Sequence, residues 1–490
     1  MTVQLYNTMS RQKEPLIPIE PGKVRFYACG PTVYDLFHLG NARMFVVFDT
    51  VRRYLEYRGF QVRYVQNFTD VDDKIIQRAN ELGLDVRAVA NRNIEEYFRD
   101  AKALGIRPAT VHPRVTECIP EIIQYIDDLV KQGHAYAANG TVYFDTSSFE
   151  DYGKLSHQST EEMQAGFRID VSEEKRHPAD FALWKAAKPG EEYWDSPWGP
   201  GRPGWHIECS VMNHLYLGDH IDIHGGGRDL MFPHHENEIA QSESHDGEPF
   251  ARYWMHNGMI MINGEKMSKS LGNFVTARDL LLQHSARAIR FYLLSAHYRR
   301  PLNYTDEAMQ QAEQSLDRIE RCLLNLDHRR QSLEAAGELL HPEFVNHVPE
   351  AVLEAIDRVR AQFIEAMDDD FNTADALAAV FEGVREANAY LAGTPVSLEG
   401  IAQFEGLLLE LTGVLGLQDA LDEPLVVDGA NDGAPAFGEL TEADIEARLA
   451  ERAEARKNRD FKRSDEIRDE LAAAGVIIED TPQGTRWRRK

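Results

Sequence analysis

Cysteine is scarce, with four residues in a chain of 490. So few thiols exclude a disulfide framework, and a reducing, cytoplasmic compartment is expected. Also missing is any apolar run near the roughly 20 residues that span a bilayer, so no membrane contact is expected. The opening MTVQLYNTMSRQKEP lacks the apolar core of a secretory signal. Basic charge is short as well. With 53 Lys+Arg against 80 Asp+Glu the net charge is −27. Taken whole, that counts against nucleic acid, because phosphate binding needs a basic face. What is present is ordinary for a folded chain: 43% hydrophobic and 27% charged residues exclude wholesale disorder. The length suggests about three domains, and no internal repeat is visible.

The shortage of basic charge is uneven. Residues 1–300 carry −6 and residues 301–490 carry −21, yet the last forty (451–490) carry +2 and end in TRWRRK. Residues 1–304 read as α/β. VRFYAC (24–29) alternates at strand period, apolar residues recur at helical spacing from Gly40 to Gly59, and VRYVQN (62–67) is strand-like again. Strand, helix, strand is a βαβ unit and implies a parallel sheet. HIDIHG (220–225) and WMHNGMIMI (254–262) are later strands, and about 112–200 read as an insertion. Residues 305–418 turn helical, with Leu316, Ile319, Leu323 and Leu326 at 3–4 spacing, and predict an antiparallel bundle. The acidic, Gly/Pro-rich stretch 419–440 reads as a linker, and 441–490 as a small module with a basic end.

The chemistry-bearing residues fall in a few places. Cys29 ends the first strand, at the carboxyl edge where open parallel sheets bind ligands. Cys209 lies in WHIECS, and HGGGRDLMFPHHENE (224–238) puts His234 and Glu238 four apart, on one face of a helix. Two thiolates, an imidazole and a carboxylate suit tetrahedral Zn²⁺, although HHENE is not the zincin pattern. Against that, two cysteines 180 residues apart also fit as small buried hydrophobes. PTVYDLFHLGNAR (31–43) sits at the first strand-to-helix turn, where His38 and Asn41 offer donors beside the helix dipole, a setting suited to phosphate. KMSKS (266–270), between Gly264 and Gly272, places Lys266 and Lys269 in a loop that could neutralise a polyphosphate leaving group. HLGN alone is a weak signal; KMSKS some 230 residues further on, at the same kind of sheet edge, is a strong one.

With these strings the sequence resembles the class I aminoacyl-tRNA synthetases, and within them the cysteinyl-tRNA synthetases. FYACGPTVYDLFHLGNAR, NFTDVDDKI, GRPGWHIECSVM, DIHGGGRDLMFPHHENEIAQSE, HNGMIMINGEKMSKSLGN and SAHYRRPLNY carry the resemblance. It implies a Rossmann-type parallel-sheet catalytic domain over 1–304, the helical bundle, and an anticodon-binding module over 441–490. It further implies activation of L-cysteine with ATP and Mg²⁺ to cysteinyl-adenylate, then transfer to the 3′ end of tRNA(Cys), by a monomer. His38, Gly40, Asn41 and Lys269, with Lys266, would hold ATP and the departing pyrophosphate. The family's HIGH signature reads HLGN here, so an amide stands at Asn41 in place of the second histidine.

By the same resemblance Cys29, Cys209, His234 and Glu238 would bind one Zn²⁺ that takes the substrate thiolate. Thr69, Trp205, His224 and Asp229 would line the amino-acid pocket. A discrimination of ~10⁴ against serine requires about 5.5 kcal/mol, whereas a packing pocket supplies about 1–3 kcal/mol per small group. A soft thiolate bound to zinc makes up the difference. His220, His235 and His256 are left as structural or polar residues, and Cys118 and Cys322 as inert. The run RAEARKNRDFKR, with six basic residues, and Trp487 between arginines would stack on and track the GCA anticodon. An alternative is the mycothiol-pathway cysteine ligase, which joins cysteine to an amino sugar and leaves the C-terminal module without a use. A zinc hydrolase built on HHENE leaves KMSKS unexplained.

Overall fold

The computed structural model of the chain describes residues 2–157, 174–268, 271–336, 348–393, 396–421 and 442–457. Beyond these it describes 463–464, 467–468, 470–471, 476–481 and 484–489. Two compact units divide it, Met1–Leu425 and Val426–Lys490.

At the centre of the first unit lie four parallel strands in the order Ala251–Asn257, Ile221–Gly227, Lys23–Ala28, Gln61–Gln66. Phe26, Tyr27 and Ala28 are all buried, as expected for a parallel sheet covered on both faces. The chain enters at an inner strand, runs outward to Gln61–Gln66, and later returns on the other side. That reversal opens a crevice at the carboxyl ends of Lys23–Ala28 and Ile221–Gly227. The crossover helix Leu39–Tyr57 buries Phe45, Phe48, Val51 and Leu55 against the sheet side, the stripe visible in its spacing. His38 is its N-cap, accepting from the Asn41 backbone N–H at Nδ1 (3.1 Å).

One expected strand divides. WMHNGMIMI forms the end of Ala251–Asn257 and a separate strand, Ile260–Ile262, in a second sheet with Glu265–Lys266 and Leu302–Tyr304. Gly258 marks the break: a Cβ there would lie 2.4 Å from the Arg300 carbonyl oxygen, so only glycine permits the backbones to cross. The interpolated region contributes the helix Ile119–Gln132 and an antiparallel sheet of Ala135–Ala138, Thr141–Phe144, Phe181–Ala186 and Gly201–Pro203.

Helices Asp306–Ala336, Glu350–Asp368, Thr373–Ala392 and Leu398–Val414 share one apolar core with the helix Leu39–Tyr57. A buried ion network ties the two parts. The Arg290 guanidinium donates to Asp49 Oδ2 (2.5 Å), to the Leu104 carbonyl (3.0 Å) and to the Leu415 carbonyl (2.8 Å). Burial alone would raise the Asp49 carboxyl, but Arg290 and Arg53 hold it below its ordinary value. Asp49→Asn removes the buried carboxylate to which the Arg290 guanidinium donates, and a loss of about 3–5 kcal/mol in urea unfolding is expected.

The start of the expected linker is packed instead. Ala420 is buried, Leu421 N–H donates to the Ala103 carbonyl (2.9 Å), and Asp419 pairs with Arg53. Residues 422–441 lie outside the described ones.

In the second unit the helix Glu442–Lys457 and the hairpin Val476–Thr481/Gly484–Arg489 accompany a core of Ile445, Leu449, Ile467 and Leu471. Trp487, the ring expected to stack on bases, is half-buried and packs against this core. Part of the basic run is likewise spent internally: Arg463 pairs with Glu451 (2.9 Å) and Glu470 (3.1 Å), and Arg452 is buried.

Candidate active site and metal centre

A cavity of about 360 Å³ opens at the carboxyl edge of the parallel sheet. Its lining includes His38, Gly40 and Asn41 from the first helix turn, with Lys266 and Met267 from the small sheet and the loop beyond it. The approach is close, since a Cβ on Gly40 would meet the Met267 side chain at 3.7 Å. Hydrogen bonds hold the loop: Ser268 N–H donates to Asn273 Oδ1 (2.9 Å) and Asn273 Nδ2 to the Lys266 carbonyl (3.2 Å). Lys269 lies outside the described residues.

The same cavity reaches Cys29, Cys209 and His234, with Thr69, Trp205 and Asp229 around them. Cys29 follows directly on the strand Lys23–Ala28, and Cys209 lies one turn into the helix Trp205–Leu217. His234 and Glu238 do not share one regular helix. Phe232 is extended (φ −138°, ψ 134°), His234 sits in the wide turn Met231–His235, and the α-helix begins at Glu236. The pair still meets, with His234 Nε2 2.9 Å from Glu238 Oε1.

Four donor atoms thus converge: the two sulfurs are 3.9 Å apart, Cys29 Sγ is 3.5 Å from Glu238 Oε1, and Cys209 Sγ is 3.6 Å from His234 Nε2. Tetrahedral zinc with Zn–S bonds of about 2.3 Å requires S···S edges of about 3.8 Å, so the donor set fits the ion in chemistry and in size. Both thiols and both partners are buried. The hydrogen bond from Cys29 pulls the Cys209 thiol down to about 6, while burial pushes the Cys29 thiol up. Burial also opposes charge on His234, but Glu238 and Cys209 outweigh it and hold the imidazole at about 10.

A second donor set shares Cys29 and Glu238 and adds His224 and His235. His224 and His235, which distinguish it, do not border the cavity, whereas Cys209 and His234 do. His224, expected to line the amino-acid pocket, is fully buried behind the cluster, its Nε2 2.8 Å from Glu238 Oε2. It is placed to orient the carboxylate and is not among the residues that border the cavity. His235, left as structural, touches Cys29 Sγ at 3.3 Å and continues through His256 (2.9 Å) to Thr8 Oγ1 (2.8 Å). Burial drives His256 down to about 3 and His235 well below its ordinary value, so both rings are neutral.

Three residues near the centre carried no signal in the sequence reading. His206 Nδ1 is 2.9 Å from His234 Nδ1, Asn67 borders the cavity, and Glu208 accepts the Thr69 hydroxyl (2.8 Å). Their neighbours Cys209 and Thr69 were the available pointers. Trp205 stacks on His234 with centroids 4.2 Å apart. Gly227 admits Asp229 to the cavity, because a Cβ there would lie 2.5 Å from Asp229 Oδ1.

A parallel sheet opened at its reversal point, with HLGN on one wall and the KMSKS strand on another, defines a class I aminoacyl-tRNA synthetase. The fold is shared with Mycobacterium tuberculosis methionyl-tRNA synthetase in complex with methionyl-adenylate: TM-score 0.58 and 19% identity over 82% of this chain and 92% of that one. An Agrobacterium radiobacter LeuRS–tRNA–LeuAMS complex is similar in the same way: TM-score 0.59 and 13% identity over 83% and 85%. Residues 15–314 match the class I (C) tRNA synthetase catalytic domain, 362–419 the DALR domain, and 439–488 the cysteinyl-tRNA ligase anticodon-binding domain. The chain belongs to the cysteine–tRNA ligase family. It is 54% identical to the cysteine–tRNA ligase of Anoxybacillus flavithermus and 52% to that of Brevibacillus brevis, over 100% of each pair. That of Symbiobacterium thermophilum is 53% identical, again over the full length of both. Among the described residues, no helix is long and apolar enough to cross a membrane.

Proposed function

We propose that the chain charges tRNA(Cys) with L-cysteine in two steps and selects its amino acid at a zinc ion held by Cys29, Cys209, His234 and Glu238. The observation that carries this is the buried thiol–imidazole–carboxylate set opening into the same cavity as His38 and Lys266. Bound there, Zn²⁺ would take the soft thiolate of cysteine and leave the neutral hydroxyl of serine unliganded.

The chain's own residues do the rest. His224 and His235 hold the donors in orientation from behind, and their burial keeps water off that side. Trp205 caps His234. Asp229 provides negative charge for the substrate ammonium. His38 and Asn41, with Gly40 permitting close approach, face the phosphates of ATP, which would arrive with Mg²⁺. Lys266 and Lys269 neutralise the departing pyrophosphate, so in-line attack by the cysteine carboxylate needs positioning more than covalent help. The module from 441 onward would read the GCA anticodon, its remaining basic residues tracking the backbone. Full-length kinship with cysteine–tRNA ligases favours tRNA over an amino sugar as acceptor.

Cysteine-dependent ATP–pyrophosphate exchange, followed by charging of tRNA(Cys), tests the reading; exchange that fails with zinc-loaded protein would sink it. His38→Ala is expected to lower exchange by about 10²-fold, the usual loss for one donor to a developing anion. Zinc content should stay unchanged in that variant, since His38 is not among the converging donors.

A further inference from the structure

We propose that Glu208 is a positioning residue that fixes the hydrogen-bond polarity of Thr69, so that this wall of the cavity presents an acceptor to the α-ammonium group of the amino acid. The proposal rests on the amino-acid reading of the cavity and adds which end of the substrate faces Thr69.

The polarity is set by a chain of hydrogen bonds that starts at a backbone amide. Gly30 N–H can only donate, and it lies 2.8 Å from Asn67 Oδ1. This orients the Asn67 amide, oxygen toward Gly30 and Nδ2 toward Thr69 Oγ1 at 3.5 Å. The two backbones lie close here: a Cβ at position 30 would fall 1.6 Å from the Asn67 backbone carbonyl oxygen, so nothing but glycine can stand there. Thr69 Oγ1 therefore accepts from Asn67, and its own proton goes to Glu208 Oε2 at 2.8 Å.

A hydroxyl has one proton and two lone pairs. The proton and one lone pair are now committed, and what Thr69 retains for the cavity it lines is a lone pair. Asp229, on the same cavity, also offers only acceptor oxygens. Two acceptor groups suit an ammonium donor and disfavour a carboxylate, which sends the substrate carboxylate elsewhere, toward ATP. Glu208 is itself buried and does not border the cavity, so it acts through Thr69 and not on the substrate.

Calorimetric titration of the zinc-loaded full-length protein with L-cysteine and with 3-mercaptopropionate tests this. The second ligand keeps the thiol and the carboxylate but lacks the ammonium group. Thr69→Val and Glu208→Met are each expected to weaken cysteine binding about 10-fold or more while leaving 3-mercaptopropionate within about 2-fold. The double variant should be no weaker than either single one. Thr69→Ser and Glu208→Gln, which keep a hydroxyl and an acceptor oxygen, should restore cysteine binding. If Glu208→Met does not fold, Glu208→Asp withdraws the acceptor by one methylene and should show the same split. Equal losses for both ligands, unchanged cysteine affinity, or losses that multiply in the double variant would overturn the proposal. Wild-type protein that binds neither ligand would overturn the amino-acid reading beneath it.

Discussion

Cys209→Ser is expected to empty the metal centre and to lower kcat/KM for cysteine in pyrophosphate exchange by about 10²–10³. Serine is nearly isosteric, and Cys209 is buried in the helix Trp205–Leu217, so the fold around it should survive. The donor chemistry does not survive: a hydroxyl that stays protonated replaces the thiol held down to about 6, and it is a poor ligand for a borderline-soft ion. The size of the loss follows from selectivity. A pocket supplies about 1–3 of the ~5.5 kcal/mol that separates cysteine from serine, so zinc supplies the other ~2.5–4.5, and losing it should cost about 10²–10³ in rate constant. Metal analysis is the direct check, and unchanged zinc content would refute Cys209 as a ligand. A companion measurement reads serine in place of cysteine, where the preference between the two should collapse toward the ~10–200-fold that a pocket alone provides.

Removal of residues 441–490 should separate the two half-reactions. The first unit, Met1–Leu425, is compact by itself and holds the whole cavity. Exchange with cysteine is therefore expected within about 2-fold of the intact chain. Charging should fall by about 10³ in kcat/KM for tRNA. Three anticodon bases, at roughly 1–3 kcal/mol for each stacked base, sum to about 3–9 kcal/mol, a range that contains the ~4 kcal/mol of that factor. Charging at the original rate would show that the anticodon is read elsewhere or not at all. Because Trp487 packs against the module's own core, Trp487→Ala should loosen the module as a whole, and its effect on charging should track its effect on folding.

The acidic total misled as a guide to the partner. With −21 of the −27 lying beyond residue 300 and +2 in the last forty, it described the body of the molecule and hid its end. Even that end is less basic than its composition suggests, since Arg463 is engaged with Glu451 and Glu470. Local pairing decides how much of a charge run is available to an RNA.

By itself the sequence determined the parts whose signal is local. The 2-residue and 3.6-residue periods announced the strand–helix–strand unit and the helices after 305, and the HLGN and KMSKS strings announced phosphate chemistry. Neighbouring residues carry such signals because they share an element, and an element's face is set by its own period. The tertiary structure decided which distant atoms meet. Cys29 and Cys209, 180 residues apart, are joined because the strand ending at Ala28 pairs with the strand Ile221–Gly227, whose preceding helix carries Cys209. It also separated adjacent residues. His234 faces the cavity and His235 the wall behind it, because consecutive side chains in a helical turn point about 100° apart and Phe232 sets where the turn begins. Asn67 and Glu208 were invisible for the same reason: a hydrogen bond between residues 69 and 208 leaves no trace in either one's neighbours.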